Sequence, residues 1–280
     1  MSDRVHRDVT ASGVRLRVTE SGQGPHVLLL HGLFVDHSTW DRAANILAEE
    51  FTVVAPDLPG FGASEKPSPR RFPYGVDTFA EAVADLYAGL SLGRAAVVGH
   101  GLGGAVAITL AARHPELVSR LVLIDPLCYE PARDSLRRLL VLPVVGALVF
   151  RQLLGRTAFR AFFRESMVSA RARFPVERID HFYEILNSPA ARGSALATVR
   201  AIADVRPVVA HVARVQSETL VIWGREDRLY PAGLSQRLAR EIRGAGLQLL
   251  DAGHCPQEEC PDQLASQIAR FLRAERPSLV

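Results

Sequence analysis

The sequence predicts an α/β fold in which a mostly parallel central sheet carries helices on both faces and an inserted helical cap covers one edge. Short apolar segments, many of them β-branched, alternate with amphipathic helical patterns, as in chains built from β-α-β units. The alternation stops at residue 125 and resumes near residue 220, and the interval is rich in leucine, arginine and phenylalanine. These two observations predict one sheet-based core with a helical insertion.

The first two predicted strands form an antiparallel hairpin, because apolar positions alternate on either side of Ser12-Gly13. The later strands are short and mostly apolar, as expected for strands buried on both faces. Thr78 and Glu81 predict a capping box at the start of the second helix. The predicted strands cover residues 5–10, 14–19, 27–30, 52–55, 95–98, 121–124, 220–222 and 248–250, and the predicted helices cover 40–49, 78–90, 103–113, 234–242 and 262–273.

We expect residues 1–125 and 211–280 to form the core and residues 126–210 to form a cap or lid. Prolines at positions 143, 175, 189 and 207 predict that the insertion consists of several short helices. Pockets in open α/β sheets lie at the carboxyl edge, which the cap would cover. Apolar cap residues predict an apolar ligand of moderate size, although packing between cap helices would also explain most of them: Leu139, Leu142, Val145, Leu148, Phe150, Phe159, Phe162 and Phe163.

Composition excludes several classes of function. The 280 residues are 48% hydrophobic, and the net charge of +3 comes from scattered arginines interspersed with 30 acidic residues, so no nucleic-acid partner is expected. Three cysteines form no even framework and residues 1–8 are too charged for a signal peptide, which favours the cytoplasm. The longest apolar run, residues 139–150, is too short for a membrane span. We expect a small-molecule substrate, a monomer or homodimer, and no cofactor or metal.

The most informative segment is VGHGLGG at residues 98–104. It has the strand, tight turn and small-residue helix of a hydrolase nucleophile elbow, G-x-S-x-G-G, but Gly101 stands at the nucleophile position. Because glycine has no side chain that could attack a substrate, an acyl-serine mechanism is excluded. Cys128 and Cys255 are not at the elbow and are expected to be inert packing groups.

Four further motifs surround this segment in the chain. They are LLHGL at residues 29–33, DLPGFGAS at 57–64, WGRED at 223–227 and DAGHCP at 251–256. Together with the elbow, these motifs resemble the α/β-hydrolase fold family in its single-domain form with a helical cap. The resemblance covers nearly the whole chain, and the order of elbow, acid and histidine is the one expected of that fold.

The resemblance implies a role for particular residues. His254 matches the family's base and Asp227 its acid, with Asp125 as an alternative acid position. The N–H groups of Leu33 and Leu102 would form an oxyanion hole, which stabilises negative charge developing on a substrate oxygen. The resemblance also places His31, Phe34 and His100 at the pocket. The commoner role of the two histidines is hydrogen bonding within the loops.

A different class of protein competes for the same residues. Gly99-x-Gly101-x-x-Gly104 also satisfies the dinucleotide fingerprint, and Asp125 follows at the distance of a ribose ligand. A nicotinamide- or flavin-dependent oxidoreductase is therefore a remote alternative. It leaves the motifs around Asp227 and His254 unexplained, and the fingerprint usually lies in the first β-α unit of its domain.

Three interpretations of the glycine elbow stay open. In the first, the chain is an enzyme in which a His254–Asp227 dyad acts as general base, in hydrolysis by water, C–C cleavage, decarboxylation, cyclisation or cofactor-free oxygenation. In the second, it is a catalytically silent ligand-binding protein. In the third, Gly101 is an engineered knockout, although alanine is the usual choice for that purpose. Dehalogenase and epoxide hydrolase activities are not expected, because those members of the fold carry aspartate at the elbow.

Overall fold

The computed structural model describes residues 4–130 and 155–274, and an eight-stranded sheet forms their centre. The strands are Val5–Ala11 (β1), Val14–Ser21 (β2), His26–Leu30 (β3), Thr52–Pro56 (β4), Ala95–His100 (β5), Val118–Ile124 (β6), Glu218–Gly224 (β7) and Gly246–Leu250 (β8). Their order is β1-β2-β4-β3-β5-β6-β7-β8. β2 pairs antiparallel with β1 and β4, and the other neighbours are parallel. The predicted sheet is confirmed, with most strands one to three residues longer than predicted.

β3 shows why these apolar segments become interior strands. Successive side chains point to opposite faces of a sheet. Leu28 and Leu30 accordingly join one hydrophobic cluster, whereas Val27 and Leu29 join the other. Both faces are therefore covered by protein, as a run of apolar residues requires.

Helices cover both faces of the sheet, as predicted. α1 and α10 pack on the face that carries Val27, and α2 and α3 pack on the opposite face. None of the helices in the described ranges is long and apolar enough to cross a membrane. A 3-10 turn, His37–Trp40, precedes α1, and the helices of the described residues are Asp41–Leu47 (α1), Val76–Leu90 (α2), Leu102–Arg113 (α3), Arg156–Phe162 (α4), Val176–Leu186 (α5), Pro189–Ala201 (α6), Arg206–Val212 (α7), Gly233–Glu241 (α8), Pro256–Glu259 (α9) and Pro261–Arg273 (α10).

The predicted capping box of α2 is wrong. The helix begins at Val76 with Gly75 as its N-cap and without a side-chain cap, so Thr78 lies within the first turn. Glu81 is occupied elsewhere, because its Oε1 accepts a hydrogen bond of 2.9 Å from Arg113 Nε at the end of α3. An ion pair between two helices has replaced the local contact that the sequence pattern suggests.

Helices α4 to α7 lie between β6 and β7, in the predicted insertion. Pro175 is the N-cap of α5, Pro189 begins α6 and Pro207 occupies the first turn of α7, positions where proline's missing N–H costs little. The division into a core of residues 1–125 and 211–280 and a cap of residues 126–210 stays a prediction. Pro143 and the apolar run at 139–150 lie outside the described residues.

The described cap phenylalanines serve mostly to pack helices together. Phe159 and Phe163 are almost fully buried, and Phe163 stacks on Phe182 with ring centroids 5.6 Å apart. Phe162 is only partly buried and meets the ring of Phe34 at 5.8 Å, where the insertion faces the core. Of the other predicted ligand-facing residues, Leu139, Leu142, Val145, Leu148 and Phe150 lie outside the described residues.

One buried carboxylate closes the loop after β4. Asp57 Oδ1 accepts hydrogen bonds from the His37 backbone N–H at 2.8 Å and from His37 Nδ1 at 2.7 Å, and Oδ2 accepts one from Ala63 N–H at 2.7 Å. Burial acts to raise the pKa of Asp57, but its bonds with His37 outweigh burial and hold that pKa below its usual value. Burial likewise acts to lower the pKa of His37, and the Asp57 carboxylate holds it above the usual value.

We expect His37→Gln to lower stability in a pH-dependent way, because glutamine can donate a hydrogen bond to Asp57 but cannot become charged. The folded-state pKa of His37 is raised, so its charge contributes fully below the unfolded-state pKa of about 6.5 and is lost as pH rises through the folded-state pKa. Denaturant melts from about pH 5.5 to about pH 9 should show the difference from wild type shrinking as pH rises.

The same substitution in an Asp57→Asn background is the control, since the charge partner is then absent. There the difference should no longer shrink as pH rises, because burial of His37 then opposes its charged form without Asp57 to offset it. A difference that is constant with pH in the Asp57 background would show that the pair is not ionic.

Candidate active site

The motifs singled out in the sequence meet at the carboxyl edge of the sheet. His31 follows β3, Gly101 follows β5, Asp227 lies beyond β7, and His254 lies beyond β8. Beside β3 lie β4 on one side and β5 on the other, so the chain reverses its direction of sheet growth there. Such a switch point separates the loops and leaves a crevice for a ligand.

Gly101 forms a tight, left-handed turn between β5 and α3. Its φ of 51° and ψ of −112° are a combination that residues with a Cβ rarely adopt. Neighbouring segments hold this turn in place, because the Gly101 N–H donates to Ile124 O at 3.1 Å and Gly101 O accepts from Leu127 N–H at 2.9 Å. The turn thus has the strand–turn–helix context that the elbow motif predicts.

A close backbone contact brings the loop after β3 against this turn. A Cβ on Gly103 would lie 2.2 Å from the Leu30 carbonyl oxygen, so a larger residue would push α3 away from β3. The Gly103 N–H donates to His31 O at 3.1 Å. Leu33 lies in this loop and Leu102 is the first residue of α3, whose first-turn N–H groups have no acceptor within the helix. Their role as oxyanion donors stays a prediction.

The structure brings His254 and Asp227 into direct contact. His254 Nδ1 donates to Asp227 Oδ2 at 2.8 Å, and both side chains are at least nineteen-twentieths buried. Asp227 Oδ1 accepts two backbone N–H groups, from Leu229 at 2.8 Å and Tyr230 at 3.0 Å. These bonds fix the carboxylate, which in turn fixes the tautomer and orientation of the imidazole.

The second ring nitrogen of His254 faces the turn at Gly101. A Cβ built on Gly101 would lie 3.4 Å from His254 Nε2 and 3.6 Å from the Gly32 Cα. These are ordinary contact distances, so the site has room for a side chain that the glycine does not supply. With Nδ1–H directed at Asp227, Nε2 carries the lone pair of a neutral imidazole and can accept a proton.

His31 and His100 brace the loops of the site. His31 Nδ1 lies 2.8 Å from Gly32 O, and its Nε2 accepts the Leu58 N–H at 3.0 Å. His100 Nε2 donates to His254 O at 2.7 Å. Burial lowers the pKa of both histidines, most strongly for His100, where the neighbouring His254 acts in the same direction. Both rings therefore stay neutral near pH 7 and serve as fixed hydrogen-bonding groups.

Sequence reasoning missed two residues that support His254. Gln257 is buried and donates from Nε2 to His100 Nδ1 at 3.1 Å. Glu259 Oε1 accepts the Gly253 N–H at 2.8 Å, and its Oε2 accepts the Ser169 N–H of the insertion at 2.9 Å. Their position in the short helix α9 directly after the histidine loop was the only available signal.

Asp125 lies inside the site rather than on a ligand-binding surface. It is completely buried, and one of its carboxylate oxygens is within 4.8 Å of ligand atoms of Asp227 and His254. A ribose hydroxyl could not reach a side chain that is buried in this way. The main argument for dinucleotide binding at Gly99-x-Gly101-x-x-Gly104 was Asp125 as a ribose ligand, and that argument is therefore removed. The other predicted pocket residue, Phe34, is partly buried.

The cysteines considered as substitute nucleophiles are poorly suited to that role. Cys128 and Cys255 are fully buried, and burial raises the pKa of each thiol well above its usual value. The thiolate is the nucleophilic form, so both stay unreactive near neutral pH.

Two clusters among the described residues have metal-ligating side chains close together: Asp125, Asp227 and His254 form one, and Asp36, His37 and Asp57 form the other. In both, the histidine Nδ1 and a carboxylate oxygen are hydrogen-bonded to each other, at 2.8 Å and 2.7 Å respectively. A metal ion bound through these atoms would have to break those bonds. The expectation that no metal or cofactor is used stays a prediction.

Comparison with known proteins places this chain in a family. A family model described as "Alpha/beta hydrolase family" matches residues 27–267. The chain is 30% identical to a 2-hydroxymuconate semialdehyde hydrolase of Pseudomonas sp. strain CF600, over 97% of this chain and 95% of that protein. It is 28% identical to haloalkane dehalogenase 2 of Mycobacterium bovis, over 91% and 90% of the two chains.

The fold has a similar counterpart among solved structures. The 2-hydroxy-6-oxo-6-phenylhexa-2,4-dienoate hydrolase of Rhodococcus sp. strain RHA1 superposes with a TM-score of 0.84 at 27% identity. The match covers 98% of this chain and 100% of that one. The overall fold is therefore shared with a hydrolase over nearly the whole chain.

We expect Gly101→Ala to lower the free energy of unfolding by about 1–3 kcal/mol, because alanine must adopt the positive φ of the turn. Steric overlap is not the cause, since the added Cβ has contacts of 3.4 Å or more. Gly193→Ala is the matched control: Gly193 lies inside α6 with nothing within 4 Å, so alanine there should be neutral or stabilise by up to about 1 kcal/mol. Equal effects in denaturant melts would contradict a strained turn at Gly101.

Proposed function

This chain belongs to the alpha/beta hydrolase family, and on that premise we propose that it is an enzyme acting on a small to medium apolar carbonyl compound without a covalent acyl-serine step. The observation that carries the proposal is the pairing of His254 Nδ1 with Asp227 at 2.8 Å while Nε2 faces the side-chain-free turn at Gly101. Under this proposal, His254 and Asp227 move protons, and residue 101 has no side chain that could form a covalent intermediate.

In this mechanism, the His254–Asp227 dyad is a general base. His254 Nε2 takes a proton either from a water molecule in the space beside Gly101 or from an acidic position of the substrate. Asp227 stabilises the imidazolium that forms. The negative charge that develops on the substrate oxygen is stabilised by the N–H groups of Leu33 and Leu102, and such donors typically contribute about 10²- to 10³-fold each.

A direct base mechanism fits Gly101 better than a weakened serine mechanism does. Removing the nucleophile of a serine enzyme costs about 10⁶-fold in turnover, because the remaining groups then act only through binding and oxyanion stabilisation. An enzyme with glycine at this position therefore needs a reaction in which water or the substrate itself supplies the reacting oxygen or carbon.

The relatives suggest the substrate class. Two of them are hydrolases named for the unsaturated carbonyl compounds 2-hydroxymuconate semialdehyde and 2-hydroxy-6-oxo-6-phenylhexa-2,4-dienoate. A carbonyl of this kind gives an enolate or alkoxide that backbone amides can stabilise. We therefore propose hydrolysis by water or C–C cleavage first, with cyclisation and cofactor-free oxygenation as further reactions open to the same base.

Dehalogenation is not proposed, although one relative is a haloalkane dehalogenase. Displacing a halide through an alkyl-enzyme ester needs a carboxylate nucleophile. The sequence has Gly101 followed by Leu102 where, by the resemblance, such enzymes carry aspartate.

A ligand-binding protein without catalytic activity is the second candidate function. The same glycine favours it, since a scaffold that has lost its nucleophile can keep its pocket. The retained contact between His254 and Asp227 favours the enzyme, because a binding protein has no need for an oriented base.

We expect His254→Ala and Asp227→Asn each to lower turnover by about 10²-fold or more while the protein stays folded, because each removes the general base or its orientation. Turnover should be followed by mass spectrometry on panels of esters, β-diketones and quinolones. His26→Ala is the control, since His26 begins β3 at the opposite edge of the sheet. Undiminished turnover in both dyad variants would exclude the dyad mechanism, and wild-type protein that binds but never converts these compounds would favour the binding protein.

A second prediction tests the geometry around Gly101. Gly101→Ser should gain hydrolysis of p-nitrophenyl acetate and labelling by fluorophosphonate probes, because its hydroxyl would lie beside His254 Nε2. Gly101→Ala carries the same backbone strain without a hydroxyl and is the matched control. The wild type should not be labelled.

Stoichiometric labelling of the wild type would show that another residue is the nucleophile. A folded Gly101→Ser variant that hydrolyses no ester and takes no label would show that the base and the oxyanion donors are not aligned with the turn.

A further inference from the structure

Asp125 is a second buried carboxyl group beside the dyad, and the proposed mechanism does not use it. Resting on that proposed function, we propose that Asp125 is kept as a neutral carboxylic acid whose proton is directed at Asp227, and that it is thereby a positioning residue of the His254–Asp227 dyad. Three features of the structure support this: the acceptor sites of Asp227, the surroundings of Asp125 and the conformation of its backbone.

Asp227 has one acceptor site left. An ionised carboxylate offers about four lone-pair sites, two on each oxygen. Oδ1 of Asp227 accepts the N–H groups of Leu229 and Tyr230, and Oδ2 accepts His254 Nδ1–H. The remaining site on Oδ2 can accept one further donor, and the Asp227 side chain is completely buried.

Asp125 can supply that donor only when it is protonated. Its Oδ1 accepts the Gly224 N–H at 2.9 Å, which identifies Oδ2 as the oxygen that would carry the proton. Oδ2 is completely buried and has no formed hydrogen bond within the described residues. A carboxylate oxygen of Asp125 lies within 4.8 Å of one of Asp227, so the proposed hydrogen bond requires a rotation of the Asp125 side chain that brings its Oδ2–H to Asp227.

The charges around Asp125 favour its neutral form. Burial raises the pKa of Asp125 well above its usual value, and the nearby carboxylates of Asp227 and Glu259 act in the same direction. The thiols of Cys255 and Cys260 face the same region and are neutral, because burial raises their pKa values too. The hydrogen bond from the Gly224 N–H acts in the opposite direction, but burial and the two carboxylates outweigh it and the pKa of Asp125 stays raised. Two carboxyl groups sharing a dry site do not both ionise.

The backbone holds Asp125 in this place at some cost. Its φ is 42°, a left-handed conformation in which aspartate and asparagine are the residues most often tolerated besides glycine. The Asp125 N–H donates to Ile222 O of β7 at 3.2 Å, which fixes the residue against the strand that leads to Asp227. A residue needed only to fill space would not require this conformation or a carboxyl group.

A donor to Asp227 changes how the dyad works. It holds the carboxylate plane toward His254 and withdraws part of its negative charge, so that the imidazolium form is stabilised less. Asp125 would thereby set both the orientation of the Asp227 carboxylate and the charge that it presents to His254.

Carboxyl ¹³C NMR of protein labelled at the aspartate side-chain carbons tests the protonation state directly. The Asp125 signal is assigned by its loss in Asp125→Asn. We expect the signal to lie at the position of a neutral acid at pH 7 and to resist titration in the acid range where ordinary aspartates titrate. A signal that titrates with the ordinary aspartates would overturn the proposal, whether or not the enzyme is active.

Two variants test the positioning role. Asparagine can accept the Gly224 N–H and donate from Nδ2 to Asp227. In Asp125→Asn, the acid limb of the kcat/KM profile should therefore lie at the same pH as in the wild type. Asp125→Ala removes the donor, and the acid limb of the profile should move to higher pH by about one unit. The positioning role would be contradicted if the acid limb of the kcat/KM profile did not move in Asp125→Ala. It would also be contradicted if the limb moved equally in Asp125→Ala and Asp125→Asn.

Failure of this proposal can be told apart from failure of the proposed function. If His254→Ala retains full turnover, the dyad mechanism falls, and the NMR measurement still decides the state of Asp125. If His254→Ala is inactive and the Asp125 signal titrates normally, the dyad stands and only the positioning role of Asp125 is overturned.

Discussion

The rest of the molecule depends on one contact between backbones, at the place where β3 and β5 end side by side. The space for a Cβ on Gly103 is taken by the carbonyl oxygen of Leu30, so only glycine lets α3 approach the end of β3 this closely. The hydrogen bond from Gly103 N–H to His31 O then holds the loop after β3 against the turn at Gly101. Because β7 and β8 deliver Asp227 and His254 to the same edge, a shift of α3 would separate the turn from the histidine that faces it.

Around that contact, the protein buries several ionisable groups, and burial keeps two of the histidines uncharged. His31 and His100 are neutral because burial disfavours their charged form, and both ring nitrogens of each are hydrogen-bonded. Neutral groups with both nitrogens satisfied cost little in a dry interior, whereas an unpaired ion there would cost several kcal/mol. The Asp227 carboxylate can be tolerated because backbone amides and His254 surround it.

A nucleophilic residue at this turn would combine a strained backbone conformation with a reactive side chain. Gly101 keeps the conformation and has no side chain. The turn conformation brings residue 101 close to His254 Nε2, so that an added Cβ would lie 3.4 Å from it, and the resemblance predicts a nucleophile at that position. Glycine adopts this conformation without strain and leaves the space open, while His254 and Asp227 are hydrogen-bonded to each other beside it. Under the proposed function, this space admits water or part of the substrate, so the family scaffold performs base chemistry in place of acyl transfer.

The sequence by itself determined the strands, most helices and the loops that carry Gly101, Asp227 and His254, because periodicity and turn residues are local properties of the chain. Only the tertiary structure decided which side chains meet. Glu81 forms no cap and instead accepts a hydrogen bond from Arg113 of another helix. Gln257 is hydrogen-bonded to His100, which is 157 residues away in the chain. Such contacts depend on sheet register and helix packing, which join segments whose separation in the sequence carries no signal. For the same reason the sequence predicted Asp125 to be either an acid or a ribose ligand. Only the structure showed that the Asp125 carboxyl group is buried next to the carboxyl group of Asp227.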